Sequence, residues 1–444
     1  MKNIRLVSKS IYYILRNNIE DFIKLKMLRI IAWAIFCIGF ITPRKMSRYN
    51  LWMLSHRVYP SSSVETFLIN RKNVLLELSV PMIIPDKIIG DKVGKKRALI
   101  LKAPRFDSRL HVVEKGVLLI KFSTTFKFYL QNIDCEKLLE CFHIVLEPSW
   151  AGYCLPEIIG WTKYDQKIII ECSEVQDYEF IKKLNSNLIP VRFGSSDWVD
   201  HRVFYPKETN KIYDVIYISN YNSIKRNHAY LKAIKNIRIP NFKAALVCNS
   251  WGDCKDNVQT LIDFYGLSKS LDVFEALKQS ELNDLLNKSK LNVLLSLKEG
   301  SNRSIFESMF SGIPAIVLKD NVGVNKEYIN CSTGKLIDSR NLEAEIIDVS
   351  NNYLDYSPRE WALENISTYA TKRKLDEELK FLAEEEGLEW NMGTHLKVNI
   401  PEAHYFDDVL AGQYPSSEEL CDVFDLKFNP DERLKMVSEL FEKY

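Results

Sequence analysis

Two glutamates, Glu299 and Glu307, have seven residues between them, among them Gly300, Ser301, Asn302 and Arg303. A carboxylate accepts two hydroxyl hydrogen bonds at once, which suits the diol of a ribose or a hexose. The surrounding residues 291–317 read as a strand, a polar loop, a helix starting near Arg303, and a stop at Gly312-Ile313-Pro314. A helix start offers free backbone N–H groups and the positive end of a dipole, both suited to a phosphate or sugar oxygen. An ordinary strand-to-helix turn with solvated glutamates fits the same residues, because a lone strand–Gly–helix is a weak signal.

Other candidates lie upstream. His143-Ile-Val-Leu-Glu-Pro-Ser-Trp150 ends a strand, which offers Glu147, Ser149 and Trp150 for acceptor contact, against a Trp150 packed under a loop. Lys167-Ile-Ile-Ile-Glu171 ends in the same way, with Glu171 and Glu174 as candidates. No Asp-x-Asp pair and no Gly-x-x-x-x-Gly-Lys loop occurs, so no obligatory metal is expected.

The elements that would position these groups alternate. Strand-length apolar runs at 98–101, 117–122, 143–146, 167–170 and 188–191 are interleaved with helical stretches such as 135–141 and 178–184. The pattern restarts after residue 210, with strands at 213–218, 244–248, 271–274, 291–296 and 315–318. Helices at 227–236, 257–265, 280–287 and 304–311 fall between them. Such alternation implies βαβ units and mostly parallel sheets, here in two doubly wound domains joined near 194–207. Ligands bind beyond the carboxyl ends of such strands. Residues 343–385 read as helical and charged, and the tail with Pro401, Pro415 and Pro430 has no assignable role. The expected division is 1–60 arm, 61–205 first domain, 206–390 second domain and 391–444 tail.

Charge is uneven. Of 60 Lys/Arg and 58 Asp/Glu, residues 1–60 hold 11 basic and two acidic side chains. The near-neutral whole argues against a nucleic-acid partner. In the arm, Ile4, Val7, Ile11, Leu15, Ile19 and Phe22 recur at helical spacing among Lys2, Arg5, Lys9, Arg16, Lys24 and Lys26. An apolar run at 30–41 follows, too short to span a bilayer. Peripheral contact of residues 1–50 with an anionic membrane is expected; the competing reading is a helix packed on the protein itself with the apolar run inside. Nine cysteines without metal or disulfide spacing suit a reducing, cytoplasmic compartment, at the inner face of the membrane.

Glu299, seven residues, Glu307, then Gly312-x-Pro314 resembles the E-x7-E signature of retaining GT-B glycosyltransferases, the family-4 or "group 1" type. Trp198-Val-Asp200 with Phe204 and Pro206 is similar to that family's interdomain linker. Ser219-Asn-Tyr-Asn-Ser-Ile-Lys225 occupies its Gly-Arg-Leu-x-x-x-Lys position. The resemblance covers roughly residues 95–385. It implies an α/β GT-B fold, with two Rossmann-like domains facing across a cleft and an N-terminal helical arm. It also implies a hexosyl-type transfer with retention from a nucleotide diphosphate sugar to a glycan or lipid-linked acceptor, in cell-surface polysaccharide or glycolipid synthesis. Lys225 and the Gly300–Arg303 amides would hold the diphosphate, with Ser301 and Asn302 beside it; Glu307 would hold the ribose and Glu299 the sugar. The family's phosphate-binding arginine falls on Asn220, and Arg303, or less directly Arg226, is expected to replace it. His228, at the same helix start as Lys225, reads as a solvated or capping residue. The Asn220 departure keeps open a non-catalytic scaffold or membrane-binding partner, and a second alternative is a nucleotide-sugar epimerase, which would need catalytic acid and base groups in the cleft.

Overall fold

The computed structural model describes residues 2–82, 91–400, 402–427 and 432–444. Pro401 and Pro430 lie outside the described residues, as do the side chains of Lys2 and Ile4. The chain opens with α1 (Lys2–Phe22), a π-helical segment Ile23–Met27, and α2 (Leu28–Ile41). Two compact units follow a different division from the four expected segments. The C-terminal unit takes the residues up to Leu28 together with Asp200–Ser367, and the N-terminal unit takes Arg29–Val199 with Thr368–Tyr444. The arm therefore divides after Leu28, and the boundary expected at 390 lies at 367.

The N-terminal unit holds a five-stranded sheet in the order β1 (Ala98–Lys102), β2 (Gly116–Lys121), β3 (Phe142–Glu147), β4 (Ile168–Glu171), β5 (Leu188–Val191). β1 runs antiparallel to β2 and the others pair in parallel. β2, β3 and β4 are buried along their whole length, as strands covered on both faces must be. On one face the helix Thr368–Glu385 lays Leu375, Leu379 and Leu382 against Leu101, Val117, Val145 and Trp198. The tail has a place here too. A hairpin of Lys397–Ile400 and Glu402–Tyr405 caps the strand ends, and Leu420, Phe424, Val437 and Leu440 join the core.

The C-terminal unit holds six strands, all parallel: β6 (Val215–Asn220), β7 (Ala244–Asn249), β8 (Leu271–Glu275), β9 (Asn292–Leu294), β10 (Ala315–Leu318) and β11 (Gly334–Ile337). Their order is β8-β7-β6-β9-β10-β11. That is the Rossmann order, and it places a topological switch point between β6 and β9. β11 was not anticipated: it starts on a glycine and holds only two apolar residues.

α1 packs on this unit with its polar side inward. Lys9 Nζ bonds Asp256 at 2.6 Å, Tyr13 donates to the same carboxylate, and Asn17 and Asn257 exchange amide bonds of 2.9 and 3.3 Å. Ser10 and Asn17 are buried, whereas Val7, Ile11, Leu15, Ile19 and Phe22 are exposed. In α2, Trp33 and Ile41 are likewise exposed, so the apolar run is not enclosed as the competing reading required.

Candidate active site

The loops that leave β6 and β9 diverge at the switch point. Between them, within the C-terminal unit, lies a cavity of about 350 Å³. Asn220, Lys225, Glu299, Ser301, Asn302, Arg303 and Glu307 line it, so the structure brings together seven of the eight residues that the resemblance places at the donor. The exception is Gly300, half-buried in the same loop between Glu299 and Ser301.

The first loop is built by its own asparagines. Asn220 Oδ1 accepts the Asn222 N–H at 2.9 Å, and Asn222 Oδ1 accepts the Ile224 N–H at 3.0 Å. Such Asx turns fold the backbone tightly without a sheet or helix partner. The buried Tyr217 donates to the Lys225 carbonyl, and Lys225 Nζ then reaches Glu299 Oε1 at 2.6 Å. Arg226 follows at φ 53°, a left-handed conformation that costs a non-glycine residue on the order of 1–3 kcal/mol.

The second loop is fixed from behind. The Glu299 N–H bonds the Val322 carbonyl at 2.7 Å, and Val322 returns a bond to Leu297 at 2.9 Å. Gly323, at φ +111°, lies so close that a Cβ there would stand 2.0 Å from the Glu299 carbonyl oxygen. Only glycine tolerates both the angle and the approach. The helix Arg303–Phe310, α3, starts at Asn302, whose Oδ1 accepts from the Ile305 N–H and the Ser304 hydroxyl. That oxygen therefore caps the helix. Gly312, at φ +80°, ends α3 as its sequence suggests: its N–H bonds Met309 and the Ile313 N–H bonds Ser308.

Glu307 is one turn inside α3 and buried. Burial pushes its carboxyl above the usual value, and the charge of Arg303, one turn earlier, offsets only part of that. A raised folded-state value disfavours the native protein once pH exceeds the unfolded value near 4.3. Glu307→Gln should therefore raise the melting temperature of the ligand-free protein at pH 7, and the gain should vanish below about pH 4. A melting series over pH checks this, and a Gln variant less stable than wild type at pH 7 refutes it.

Residues 201–373 match the model of glycosyl transferases group 1. That segment contains every residue lining the cavity. With one unit in the Rossmann order, a second α/β unit whose five strands lie in chain order rather than doubly wound, and a helical arm, the chain has the α/β, GT-B class of fold. Solved structures similar to it include a point mutant of S. aureus TarM in complex with fondaparinux, alpha-GlcNAc-glycerol and UDP, at 15% identity and TM-score 0.44, covering 55% of this chain and 51% of that one. Anabaena HepE in complex with UDP is 14% identical with TM-score 0.48, covering 59% and 78%. The C-terminal domain of a group 1 family protein from Francisella tularensis is 18% identical with TM-score 0.33, covering 38% of this chain and 98% of that one. The chain spans about half the length of the TarM structures it matches. No curated protein is similar enough to this chain to match it.

The remaining expectations fare differently. Glu147, Glu171 and Glu174 are buried, and none of them lines the cavity. Glu147 sits between Lys121 (2.6 Å) and Lys397 (2.5 Å), with Asn399 on both its oxygens. Burial and the neighbouring Glu147 charge push Glu171 up to about 8, and its Oε1 accepts from Trp198 Nε1 at 3.0 Å. These are structural carboxylates under the tail hairpin. Trp150, by contrast, is 47% exposed rather than packed under a loop. Arg226 does not line the cavity: its guanidinium is bonded to Asp21 and the Leu295 carbonyl. His228 is not a solvated or capping residue but pairs with Asp21 at 3.0 Å. The lining also includes Asn249 and Gln279, neither of which was singled out from sequence. Asn249 ends β7, so the rule that ligands sit at strand carboxyl ends points to it. No such signal marks Gln279.

Proposed function

We propose that the chain is a glycosyltransferase that moves a sugar from a nucleotide diphosphate sugar to a glycan or lipid-linked acceptor, with retention of configuration. The observation that carries this is the convergence of Lys225, Arg303, Glu299 and Glu307 on one cavity at the switch point of the group 1 segment. Lys225, Arg303 and the amides at the start of α3 take the diphosphate, where the largest charge develops on departure. The diphosphate draws Lys225 from Glu299, and the freed carboxylate then accepts the hydroxyls of the transferred sugar. Glu307 accepts the ribose diol. The test is a thermal-shift panel of nucleoside diphosphates and nucleotide sugars, followed by donor hydrolysis without acceptor. Binding raises apparent stability. No shift with any member and no hydrolysis sinks the reading and favours a non-catalytic scaffold.

Among the described residues, no helix is long and apolar enough to cross a membrane. We propose peripheral contact instead, with the exposed apolar stripe of α1 set into an anionic membrane at its inner face and the basic residues of residues 1–60 meeting the lipid charge. Ile11, Leu15 and Ile19 are 49%, 56% and 58% exposed. Burying the exposed half of each is worth roughly 1 kcal/mol. The triple change Ile11→Gln, Leu15→Gln, Ile19→Gln should thus reduce partition onto anionic vesicles by about two orders of magnitude. Vesicle co-sedimentation measures it, and unchanged binding by the folded triple variant refutes the contact.

A further inference from the structure

We infer that Asp21 of α1 is a positioning residue for the donor-phosphate loop, so that the N-terminal helix completes the nucleotide site. This rests on the reading of the cavity given above. Asp21 Oδ1 accepts Arg226 Nε at 2.9 Å and its Oδ2 accepts Nη2 at 2.8 Å, a two-bonded fork on the residue next to Lys225. His228 Nε2 lies 3.0 Å from the same Oδ2. Lys24 Nζ, in the π-helical segment that follows α1, reaches Ser223 Oγ at 3.4 Å. The chain from Ser223 to His228, which carries Lys225 in its middle, is thus held at one end by Asp21 of α1 and at the other by Lys24 of the segment after it.

Arg226 reaches further than the loop. Its Nη1 donates to the Leu295 carbonyl at 3.3 Å, on the segment that leads from β9 to Glu299. One guanidinium therefore ties α1 to both loops of the cavity, and Lys225 and Glu299 close the circuit at 2.6 Å. The side chains involved are shielded from water: Asp21, Arg226 and His228 are 20%, 6% and 16% exposed. Bidentate, charge-assisted bonds in such surroundings fix orientation as well as contributing energy. Burial alone would raise the Asp21 carboxyl, but bonds and charge from His228 and Arg226 hold it well below the usual range. Arg226 adopts its left-handed backbone within this clamp, and the α helix Asn227–Asn236 starts directly from it. Asp21 is not among the residues that line the cavity; its effect on a ligand runs through Arg226 to the backbone of Lys225.

The full-length chain with Asp21→Asn tests this, using UDP and uridine as probes. Asparagine keeps the shape but loses the charge and one acceptor. The expected result is a roughly tenfold loss of UDP affinity with uridine affinity unchanged, and recovery of UDP binding in Asp21→Glu. A helix that merely anchored the unit would weaken both probes together or neither. UDP affinity unchanged in folded Asp21→Asn overturns the inference, as does an equal loss for UDP and uridine. If Asp21→Asn does not fold, His228→Asn removes one of the three contacts and should give a smaller loss confined to UDP; no loss there also overturns it. Wild-type protein that binds no nucleoside diphosphate of the panel removes the reading of the site, and this inference with it. Wild-type binding with an indifferent Asp21 removes the inference alone.

Discussion

Lys225→Met should lower turnover by two to three orders of magnitude, roughly the 3–4 kcal/mol typical of losing one preorganised donor at a developing negative charge. Lys225 and Arg303 are the cations among the residues lining the cavity. Asn220 stands where the resembled family has an arginine, and its carboxamide oxygen is spent on the Asn222 N–H. A departing diphosphate therefore has two side-chain cations and one helix start to meet it. Arg303→Ala should cost a similar factor. Steady-state kinetics on both variants decides the matter. A fall in kcat with KM little changed marks an interaction made in the transition state, whereas a rise in KM alone marks uniform binding. A variant of either residue with wild-type kcat and KM would remove it from the mechanism.

Lys397→Met should destabilise the N-terminal unit by about 3–5 kcal/mol, because it leaves a buried carboxylate short of a partner. Lys397 is wholly buried and contacts Glu147, which is also buried and ionised: burial opposes its charge, but Lys121 and Lys397 outweigh that and pull its carboxyl down to about 2. Urea unfolding measures the loss. The double variant Lys397→Met with Glu147→Gln should recover part of it, since the stranded charge is gone. A double variant as unstable as the sum of the two singles would refute a direct coupling.

Much of the fold was legible because parallel strands buried on both faces are continuous apolar runs. Cys135–Cys141, Asn227–Asn236 and Ala315–Leu318 fall where the pattern puts them. The cavity was legible for a related reason: Glu299, Arg303 and Glu307 are neighbours in sequence, at the end of one strand and the start of one helix. What remained hidden depends on partners far away in the chain. Glu147 and Glu171 look like exposed strand-end carboxylates until a hairpin some 250 residues later covers them. The stripe of α1 reads the same whichever side meets the protein, and the inward side is decided by Asp256, Asn257 and Arg226. Nothing in the composition between Asn365 and Thr368 marks the point where the chain passes from one unit to the other.

That crossing sets an order of assembly during synthesis. The core of the N-terminal unit includes Leu375 and Leu379, and also Leu420, Phe424 and Leu440, all made after the last residue of the C-terminal unit. The unit whose sheet emerges first from the ribosome is thus the one that finishes last. Until residues past 397 arrive, Glu147 and Lys121 await Lys397, and the β2–β4 ends lack their cover. At about 5–20 residues per second, the roughly two hundred residues from β5 to that point keep an incomplete sheet waiting for ten seconds or more. A nascent chain of this design is a natural client for chaperones that hold exposed apolar surface.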